Sequence, residues 1–166
     1  MKKETYLKMT EPFRIDTEMA KAIHKSNKLI TGLIVILYPL LLLYFFLQRD
    51  VTLVRAIIVP LDGFLIVTVF RYLMNRPRPY EVFQIEPVIP KDTKGKSFPS
   101  RHVFSATIIS MTYLLLSPWT ALGWFLIAIS VCLGIIRVIS GLHYISDVVA
   151  GAALGVLAGI LGYMVF

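Results

Sequence analysis

Long runs without a charged residue are the feature that most constrains this chain of 166 residues. Leu29–Leu47 has 19 uncharged residues in succession, Val103–Ile136 has 34 and Val148–Phe166 has 19. A fourth stretch, Val51–Phe70, is apolar except for two charged residues. A transmembrane helix needs about 20 predominantly apolar residues. The sequence therefore predicts an all-α, polytopic membrane helical bundle.

The longest run is too long for one span, and a Ser-Pro-Trp turn at residues 117–119 divides it into two short ones. This gives about five transmembrane helices. Their expected bounds are about 28–47, 51–74, 102–116, 120–139 and 146–166. The composition agrees, because 57% hydrophobic residues and a mean hydropathy of +0.73 are too apolar for a soluble globular domain. The first run begins too late and is too long for a secretory signal.

A polar, basic segment precedes the first predicted span. Residues 1–28 hold seven Lys/Arg and four Asp/Glu. Apolar positions between Ile15 and Ile23 recur with helical spacing, and Asp16 or Thr17 can cap a helix start. The pattern favours a short interfacial helix, with a solvated tail as the alternative.

The net charge of +7 is concentrated beside the predicted spans. This distribution favours anionic lipid as a partner and disfavours nucleic acid. We therefore divide the chain into a basic tail, residues 1–27, and a membrane-embedded domain, residues 28–166. In the last helix, Gly151, Gly155 and Gly159 predict close helix packing, within one subunit or between subunits. The oligomeric state is left open.

Three short polar segments stand at the ends of the apolar runs. They are Arg71-x6-Arg78-Pro79, Pro99-Ser100-Arg101-His102 and Arg137-x5-His143-x3-Asp147. The helix count places the end of the second helix, the start of the third, the end of the fourth and the start of the fifth on one membrane face. That face collects spaced arginines, a hydroxyl, two histidines and a carboxylate. Such a set is suited to binding and transferring a phosphoryl group.

The arginines suit phosphate because a guanidinium stays protonated and donates paired hydrogen bonds. Arg71 and Arg78 would approach a phosphate from one side and Arg137 from another. Ser100, at the entry to the third helix, would add its hydroxyl to the free N–H groups of the helix start. Taken singly, arginines beside spans often only contact headgroups, so the hypothesis depends on the whole set.

Two histidines and one carboxylate supply the reactive groups. Asp147 follows His143 by four residues, so its carboxylate can fix the imidazole tautomer and leave the other ring nitrogen free to attack. This predicts His143 as nucleophile and His102 as general acid. Read singly, each histidine would be interpreted as structural.

Other polar residues give weaker signals. There is no cluster of carboxylates and no histidine pair on one helical turn, so we expect no metal and no other cofactor. Cys132 is interpreted as an ordinary core residue, and His24 as a surface residue of the tail. Asp62 lies in the middle of a span, where a carboxylate is costly. We expect it to be protonated or to make a buried hydrogen bond, with a role in the substrate pathway or pairing with Arg55 as the alternatives.

In its three polar segments the chain resembles the type 2 phosphatidic acid phosphatase family, whose core is shared with vanadium haloperoxidases and bacterial acid phosphatases. The family pattern is Lys-x6-Arg-Pro, then Pro-Ser-Gly-His, then Ser-Arg-x5-His-x3-Asp. Order and spacing match over residues 71–147. Arg71 replaces lysine, Arg101 replaces glycine and Ile136 replaces serine. Membrane members usually have six helices, and this chain resembles them without the first.

The resemblance implies a hydrolase that cleaves a phosphoric ester or diphosphate bond of a membrane lipid through a phosphohistidine intermediate, without metal. Candidate substrates are a polyprenyl diphosphate such as undecaprenyl pyrophosphate, phosphatidylglycerophosphate and phosphatidate. The residues implied to hold the phosphoryl oxygens are Arg71, Arg78, Ser100, Arg101 and Arg137. His143 would attack, His102 would protonate the leaving group, and Asp147 would orient His143. The alternatives are a lipid-to-lipid phosphotransferase and an inactive lipid-phosphate-binding protein.

Two arguments about the membrane face disagree. The resemblance implies a site that faces the outside or the lumen. The positive-inside rule, applied to the basic tail, places the same face in the cytoplasm. We follow the resemblance and expect a multi-pass protein of the cell membrane with its site at the extracytoplasmic face.

Overall fold

A computed structural model describes residues 3–165, and the regular structure of that part of the chain is entirely helical. The helices are α1 (Lys3–Ile15), α2 (Thr17–Leu47), α3 (Thr52–Met74), α4 (Pro79–Phe83), α5 (Arg101–Leu116), α6 (Thr120–Ile139) and α7 (Ile145–Ile160), and a π-helical turn (Leu161–Val165) extends α7. The predicted all-α class is confirmed. The ends of the five predicted spans agree closely with the helices, except at the start of the first.

Four helical segments within residues 3–165 are long and apolar enough to cross a membrane. They are Thr17–Leu47, Thr52–Phe83, Thr120–Ile139 and Ile145–Met164. The fifth predicted span, α5, has only 16 residues, and most of its side chains are buried. It occupies the centre of the bundle, packed against α6, α7 and α3. Large apolar side chains of the surrounding helices point outward, which is the arrangement expected of a protein that lies in lipid.

A ridge of small residues brings α7 against α5. Gly151, Gly155 and Gly159 are buried on the face of α7 that meets α5. A Cβ atom on Gly151 would lie 2.6 Å from the carbonyl oxygen of Ser100, and one on Gly155 would lie 2.8 Å from the Cβ of Thr107. The predicted close helix packing is confirmed, and the glycine ridge makes its contacts within one subunit.

The N-terminal segment contains two helices where one was predicted. Asp16 caps a helix start, as expected, because its carboxylate accepts hydrogen bonds from the N–H groups of Glu18 and Met19 at 2.8 and 3.0 Å. The helix that begins there is not short, however, since it continues as α2 to Leu47. No proline or glycine interrupts residues 17–31. The division of the chain at residues 27 and 28 stays a prediction.

The helix before Asp16 is packed onto the bundle. Tyr6 and Thr10 of α1 are fully buried. The Tyr6 hydroxyl donates to the carbonyl oxygens of Val138 at 3.1 Å and His143 at 3.3 Å. The alternative of a solvated tail is therefore wrong for α1, which lies against the end of α6.

Two expectations for residues within spans were wrong, namely a buried hydrogen bond for Asp62 and a core position for Cys132. Protonation of Asp62 stays a prediction. Asp62 is exposed on the outer surface of α3, and within residues 3–165 its side chain has no hydrogen-bond or ion-pair partner. Arg55, its alternative partner, donates instead to the carbonyl oxygen of Tyr163 at 3.5 Å. Cys132 is exposed on α6. Helices that are apolar on all sides carry no periodic signal that separates inner from outer faces.

Candidate active site

A cavity of about 280 Å³ opens at the end of the bundle where α3 and α6 finish and α5 begins. Its basic lining residues are Arg71, Arg78, Lys91, Lys96, Arg101, His102, Arg137 and His143. None of the lining residues within the described part of the chain is acidic. We call this space the phosphate cavity, because such a lining attracts a multiply charged anion.

Six of the eight sequence-predicted site residues line the phosphate cavity. The other two, Ser100 and Asp147, lie behind its wall and are fully buried. The chain therefore brings the predicted set to one place, as the helix count required. Asp147 does not line the cavity itself, but it is in contact with His143, which does.

His143 and Asp147 are in contact, with Nδ1 of the imidazole 3.4 Å from Oδ2 of the carboxylate. The Oγ of Ser97 donates to the same carboxylate oxygen and lies 3.5 Å from Nδ1. On the other side of the ring, Nη1 of Arg78 lies 3.4 Å from Nε2. A proton on Nδ1 satisfies Asp147 and leaves a lone pair on Nε2, which faces the cationic side of the site.

The imidazole of His143 is only 2% exposed. Burial lowers its pKa from the ordinary 6.5 to about 4, and the nearby charge of Arg78 acts in the same direction. The hydrogen bond and charge of Asp147 oppose this shift without cancelling it. The ring is therefore neutral near pH 7, which is the form that can attack phosphorus.

Main-chain carbonyls of the loops between α4 and α5 and between α6 and α7 orient two of the arginines. Arg78 donates from Nε to Gly95 at 3.0 Å and from Nη1 to Leu142 at 3.2 Å. Arg71 donates from Nη1 to the carbonyl oxygens of Ser97 and Pro99. A guanidinium has five N–H donors, so each side chain keeps donors for a ligand while its position is fixed.

Two buried polar atoms of the predicted set have no partner within residues 3–165. They are Oγ of Ser100 and Nε of Arg137. Buried polar atoms are nearly always hydrogen-bonded, so each of these two keeps a donor that no described residue uses. Ser100 stands at the N-cap position of α5, but its side chain makes no capping hydrogen bond. Its main chain holds the helix start in place, because its N–H donates to the carbonyl oxygen of Asp147 at 2.8 Å.

Arg76 contacts residues of the site and is absent from the residues predicted from the sequence. Its Nη1 lies 2.8 Å from Oδ1 of Asp147 and 2.9 Å from Oγ of Ser146. Its guanidinium carbon lies 4.3 Å from the centre of the Tyr144 ring, within the range of a cation–π contact. Arg76 falls among the six unassigned positions of the first motif. The density of arginine and proline at residues 76–79 is the signal that could have identified it.

Lys91 and Lys96 were also missed, because lysines in a polar loop are usually solvated. Both line the phosphate cavity. Although Lys91 is exposed, partial desolvation lowers its pKa, and the charge of Arg78 is the next cause. The loop therefore adds two positive charges to those of the four arginines.

Comparison with known proteins identifies a family. A sequence model described as the PAP2 superfamily matches residues 51–166. The lipid A 1-phosphatase of Porphyromonas gingivalis is 36% identical over 80 residues, which are 46% of this chain and 18% of that protein. The bacitracin transport permease protein BcrC of Bacillus licheniformis is 39% identical over 64 residues, which are 39% of this chain and 30% of that protein. The chain thus aligns with less than a third of either relative.

Solved structures with the same architecture cover nearly the whole chain. The crystal structure of Aquifex aeolicus LpxE has a TM-score of 0.74 at 22% identity, over 96% of this chain and 92% of that one. That of a transmembrane PAP2-type phosphatidylglycerolphosphate phosphatase from Bacillus subtilis has a TM-score of 0.68 at 21% identity, over 96% and 83%. At these identities the likeness establishes the fold.

Proposed function

Because this chain belongs to the PAP2 superfamily, we propose that it is an integral membrane phosphatase that hydrolyses a lipid phosphate or diphosphate through a phosphohistidine intermediate. One observation carries the proposal. His143, held by Asp147, presents Nε2 beside a cavity lined by four arginines and two lysines at the end of the bundle. A neutral imidazole among fixed cations can attack a phosphoryl group whose negative charge those cations hold.

Binding comes first. A phosphoryl group in the cavity would accept hydrogen bonds from the arginines and would supply the acceptor that Nε of Arg137 lacks. The hydroxyl of Ser100, buried and unpartnered behind the wall, is a further donor. The start of α5 adds free main-chain N–H groups. The phosphoryl-binding residues that we propose are Arg71, Arg78, Ser100, Arg101 and Arg137.

In the first chemical step, Nε2 of His143 attacks phosphorus and the bond to the leaving oxygen breaks. His102, which lines the same cavity, takes up a proton when the negative charge of the bound substrate raises its proton affinity, and it donates that proton to the leaving oxygen. The positive charge that develops on the ring of His143 is stabilised by Asp147 through Nδ1. The products of this step are the dephosphorylated lipid and a phosphohistidine.

In the second step, water attacks the phosphohistidine. His102, now neutral, accepts a proton from the water, and the bond between nitrogen and phosphorus breaks. Inorganic phosphate leaves, and both histidines return to their starting protonation states. The arginines that held the ground state also hold the charge of both transition states.

The substrate class follows from the surroundings of the site. The cavity opens at the end of a bundle whose outer surface is apolar, so its substrate would arrive from the membrane. The names of the similar proteins point the same way, because one acts on lipid A and another on phosphatidylglycerolphosphate. A polyprenyl diphosphate, phosphatidylglycerophosphate and phosphatidate are the substrates to compare. We place the site at the extracytoplasmic face by the family resemblance.

The test is phosphate release by detergent-purified protein in the presence of EDTA. The substrates are those three lipids and a soluble phosphate ester. Each is assayed with the wild type, with His143→Ala and with the control His24→Ala, which changes the one histidine outside the cavity. We expect release from at least one lipid, retained in His24→Ala and lost in His143→Ala. Release that survives in His143→Ala would overturn the role of His143. Release that depends on an added lipid acceptor would indicate a phosphotransferase.

A further inference from the structure

Arg101 lines two cavities at once. It belongs to the phosphate cavity and also to a second cavity of about 260 Å³ between α2, α3 and α5. Of the described residues, only His102 also lines both cavities. The two spaces therefore meet at the start of α5, beside the proposed general acid.

Beyond the junction the walls are apolar. The second cavity is lined by side chains such as Ile34 of α2 and Phe64 of α3. A third cavity of about 300 Å³ continues from it and shares Phe64, Ser105 and Ile109. From Arg101 to Ile109 this path follows α5 for roughly 12 Å, at 1.5 Å of rise per residue. We call the second and third cavities together the α5 groove.

The α5 groove suits the hydrocarbon chain of the substrate. It is continuous with the phosphate cavity, it runs along the membrane-embedded helices, and its walls offer mostly apolar contacts. Consider a lipid whose phosphoryl group lies beside His143 and whose hydrocarbon chain lies in the α5 groove. The atoms that link its phosphoryl group to its chain must then lie beside Arg101.

The charge at this junction distinguishes classes of lipid phosphate. In a phosphate monoester the linking atoms carry no charge. In a diphosphate they are a second phosphate, which carries negative charge and becomes the leaving group. The cavity offers four arginines and two lysines and no acidic lining residue. This positive charge is larger than is needed to balance a single phosphoryl group of charge about −2. The guanidinium of Arg101 lies 5.1 Å from the centre of the Phe64 ring, a cation–π contact that holds it at the mouth of the groove.

We propose that Arg101, unlike the other four phosphate-binding residues, contacts not the transferred phosphoryl group but the second phosphate of a lipid diphosphate whose hydrocarbon chain lies in the α5 groove, so that this protein acts on lipid diphosphates in preference to monophosphates. The inference rests on the proposed function. Arg101 would stabilise the negative charge that develops on the departing phosphate when its bond to the terminal phosphorus breaks. Glycine stands at this position in the family pattern that the sequence resembles, so this side chain is a feature of the present chain.

The experiment compares geranylgeranyl diphosphate with geranylgeranyl monophosphate, which share one chain and differ by one phosphate. Phosphate release gives kcat/KM for each. A diphosphate has the better leaving group in any enzyme, so the decisive quantity is how each value changes on substitution. We expect Arg101→Gln to lower kcat/KM for the diphosphate by about ten- to a hundredfold, the range for a lost hydrogen bond between charged groups. The same change should lower the value for the monophosphate by no more than about threefold. Arg101→Lys should recover part of the loss.

Lys94→Gln is the matched control. It removes a positive charge from the loop before α5, but Lys94 is exposed and does not line the phosphate cavity. It should change both values alike and only slightly. Equal losses for the two substrates in Arg101→Gln would overturn the proposal. Failure of the proposed function is distinguishable, because the wild type would then hydrolyse neither substrate or His143→Ala would hydrolyse both.

A second variant tests the groove. Ser105→Phe places a large side chain where the two parts of the α5 groove join. We expect KM to rise for geranylgeranyl diphosphate and to stay within about twofold for dimethylallyl diphosphate, whose chain ends before Ser105. An equal rise for both substrates would contradict a chain in this groove.

Discussion

At the scale of single residues, the site converges on the carboxylate of Asp147. One of its oxygens pairs with Arg76 at 2.8 Å. The other accepts hydrogen bonds from Ser97 and from the main-chain N–H of Tyr144, and lies 3.4 Å from Nδ1 of His143. A buried carboxylate with this many partners is fixed in both position and charge. The orientation of His143 therefore depends on residues outside the lining of the phosphate cavity.

Arg76 is accordingly a positioning residue, and the pH profile of kcat/KM reports its role. In the wild type, the pKa of His143 is lowered to about 4, so activity through this group is lost only as the pH falls through that region. Removing the charge of Arg76 lets Asp147 act on the imidazole more strongly and takes one cation away from it. Both effects raise the pKa of His143. We expect the acid limb of Arg76→Gln to move to higher pH and kcat/KM at pH 7 to fall about tenfold or more.

The measurement is the pH dependence of phosphate release by the wild type, Arg76→Gln and Arg76→Lys. Lysine should restore the acid limb toward its wild-type position, because it keeps the charge. The series is repeated with an ester whose phosphate has a different pKa. An acid limb that stays at the same pH with both esters belongs to the enzyme and not to the substrate. A fall in activity with no movement of the acid limb would mean that Arg76 acts on folding alone.

The reactive residues could be predicted from the sequence, because histidine, aspartate and serine have few structural roles at the end of an apolar run. Their neighbours could not. Ser97, Lys91 and Lys96 belong to a loop whose path depends on hydrogen bonds to α3 and α7, and no periodicity encodes such a path. Arg76 was taken as part of a spacer. Its role depends on α7 returning beside the end of α3, which is a tertiary contact.

At the scale of helices, the contact between α5 and α7 positions the site. The start of α5 carries Ser100, Arg101 and His102, and α7 carries Asp147. Gly151 lies against the main chain at the start of α5, because the three atoms nearest to a Cβ placed there are all backbone atoms of Ser100 and Phe104. Backbone cannot move aside as a flexible side chain can, so this glycine sets the distance between general acid and carboxylate.

Gly151→Ala should therefore damage both stability and activity. The added Cβ would lie 2.6 Å from the carbonyl oxygen of Ser100, so the start of α5 must shift. We expect a loss of about 1–3 kcal/mol of unfolding free energy, the usual cost of overpacking, and a lower kcat. Thermal unfolding in detergent and phosphate release measure the two effects.

Gly32→Ala is the control for that substitution, because a Cβ there meets nothing within 4 Å. It should leave kcat unchanged and raise stability by up to about 1 kcal/mol through helix propensity. If both alanine variants behaved alike, close approach of α7 to α5 would not be what places the site.

Helix bounds were predictable because charged and turn residues end the apolar runs sharply. Helix faces were not, as Asp62 and Cys132 show, since α3 and α6 are apolar nearly all round. The extension of α2 through residues 17–27 was missed because those residues are polar. Where a helix extends out of the membrane, its backbone conformation stays the same and only the polarity of its side chains differs.

At the scale of the whole molecule, the basic N-terminal helix and the phosphate cavity lie on the same face. The hydrogen bonds of Tyr6 to the end of α6 and to His143 hold α1 there. The turn between α2 and α3 lies on the opposite face. The sequence alone gives conflicting signals for the orientation, because the basic tail and the family resemblance point to opposite sides.

Labelling of single cysteines decides the orientation. In a Cys132→Ser background, Lys94→Cys places a thiol on the face of the cavity and Gln48→Cys places one on the other face. We expect a membrane-impermeant maleimide to label Lys94→Cys in intact cells, and Gln48→Cys only after the cells are permeabilised. The reverse pattern would place the cavity in the cytoplasm, as the positive-inside rule favours.

The central claim is that His143 attacks phosphorus, and trapping the phosphoenzyme tests it most directly. Purified protein in excess would be mixed with a lipid carrying radiolabelled terminal phosphate and quenched in alkali, which preserves phosphohistidine. We predict a protein-bound label that acid releases, present in the wild type and in His24→Ala and absent in His143→Ala. Wild-type turnover without such a label, or a label that persists in His143→Ala, would contradict the account.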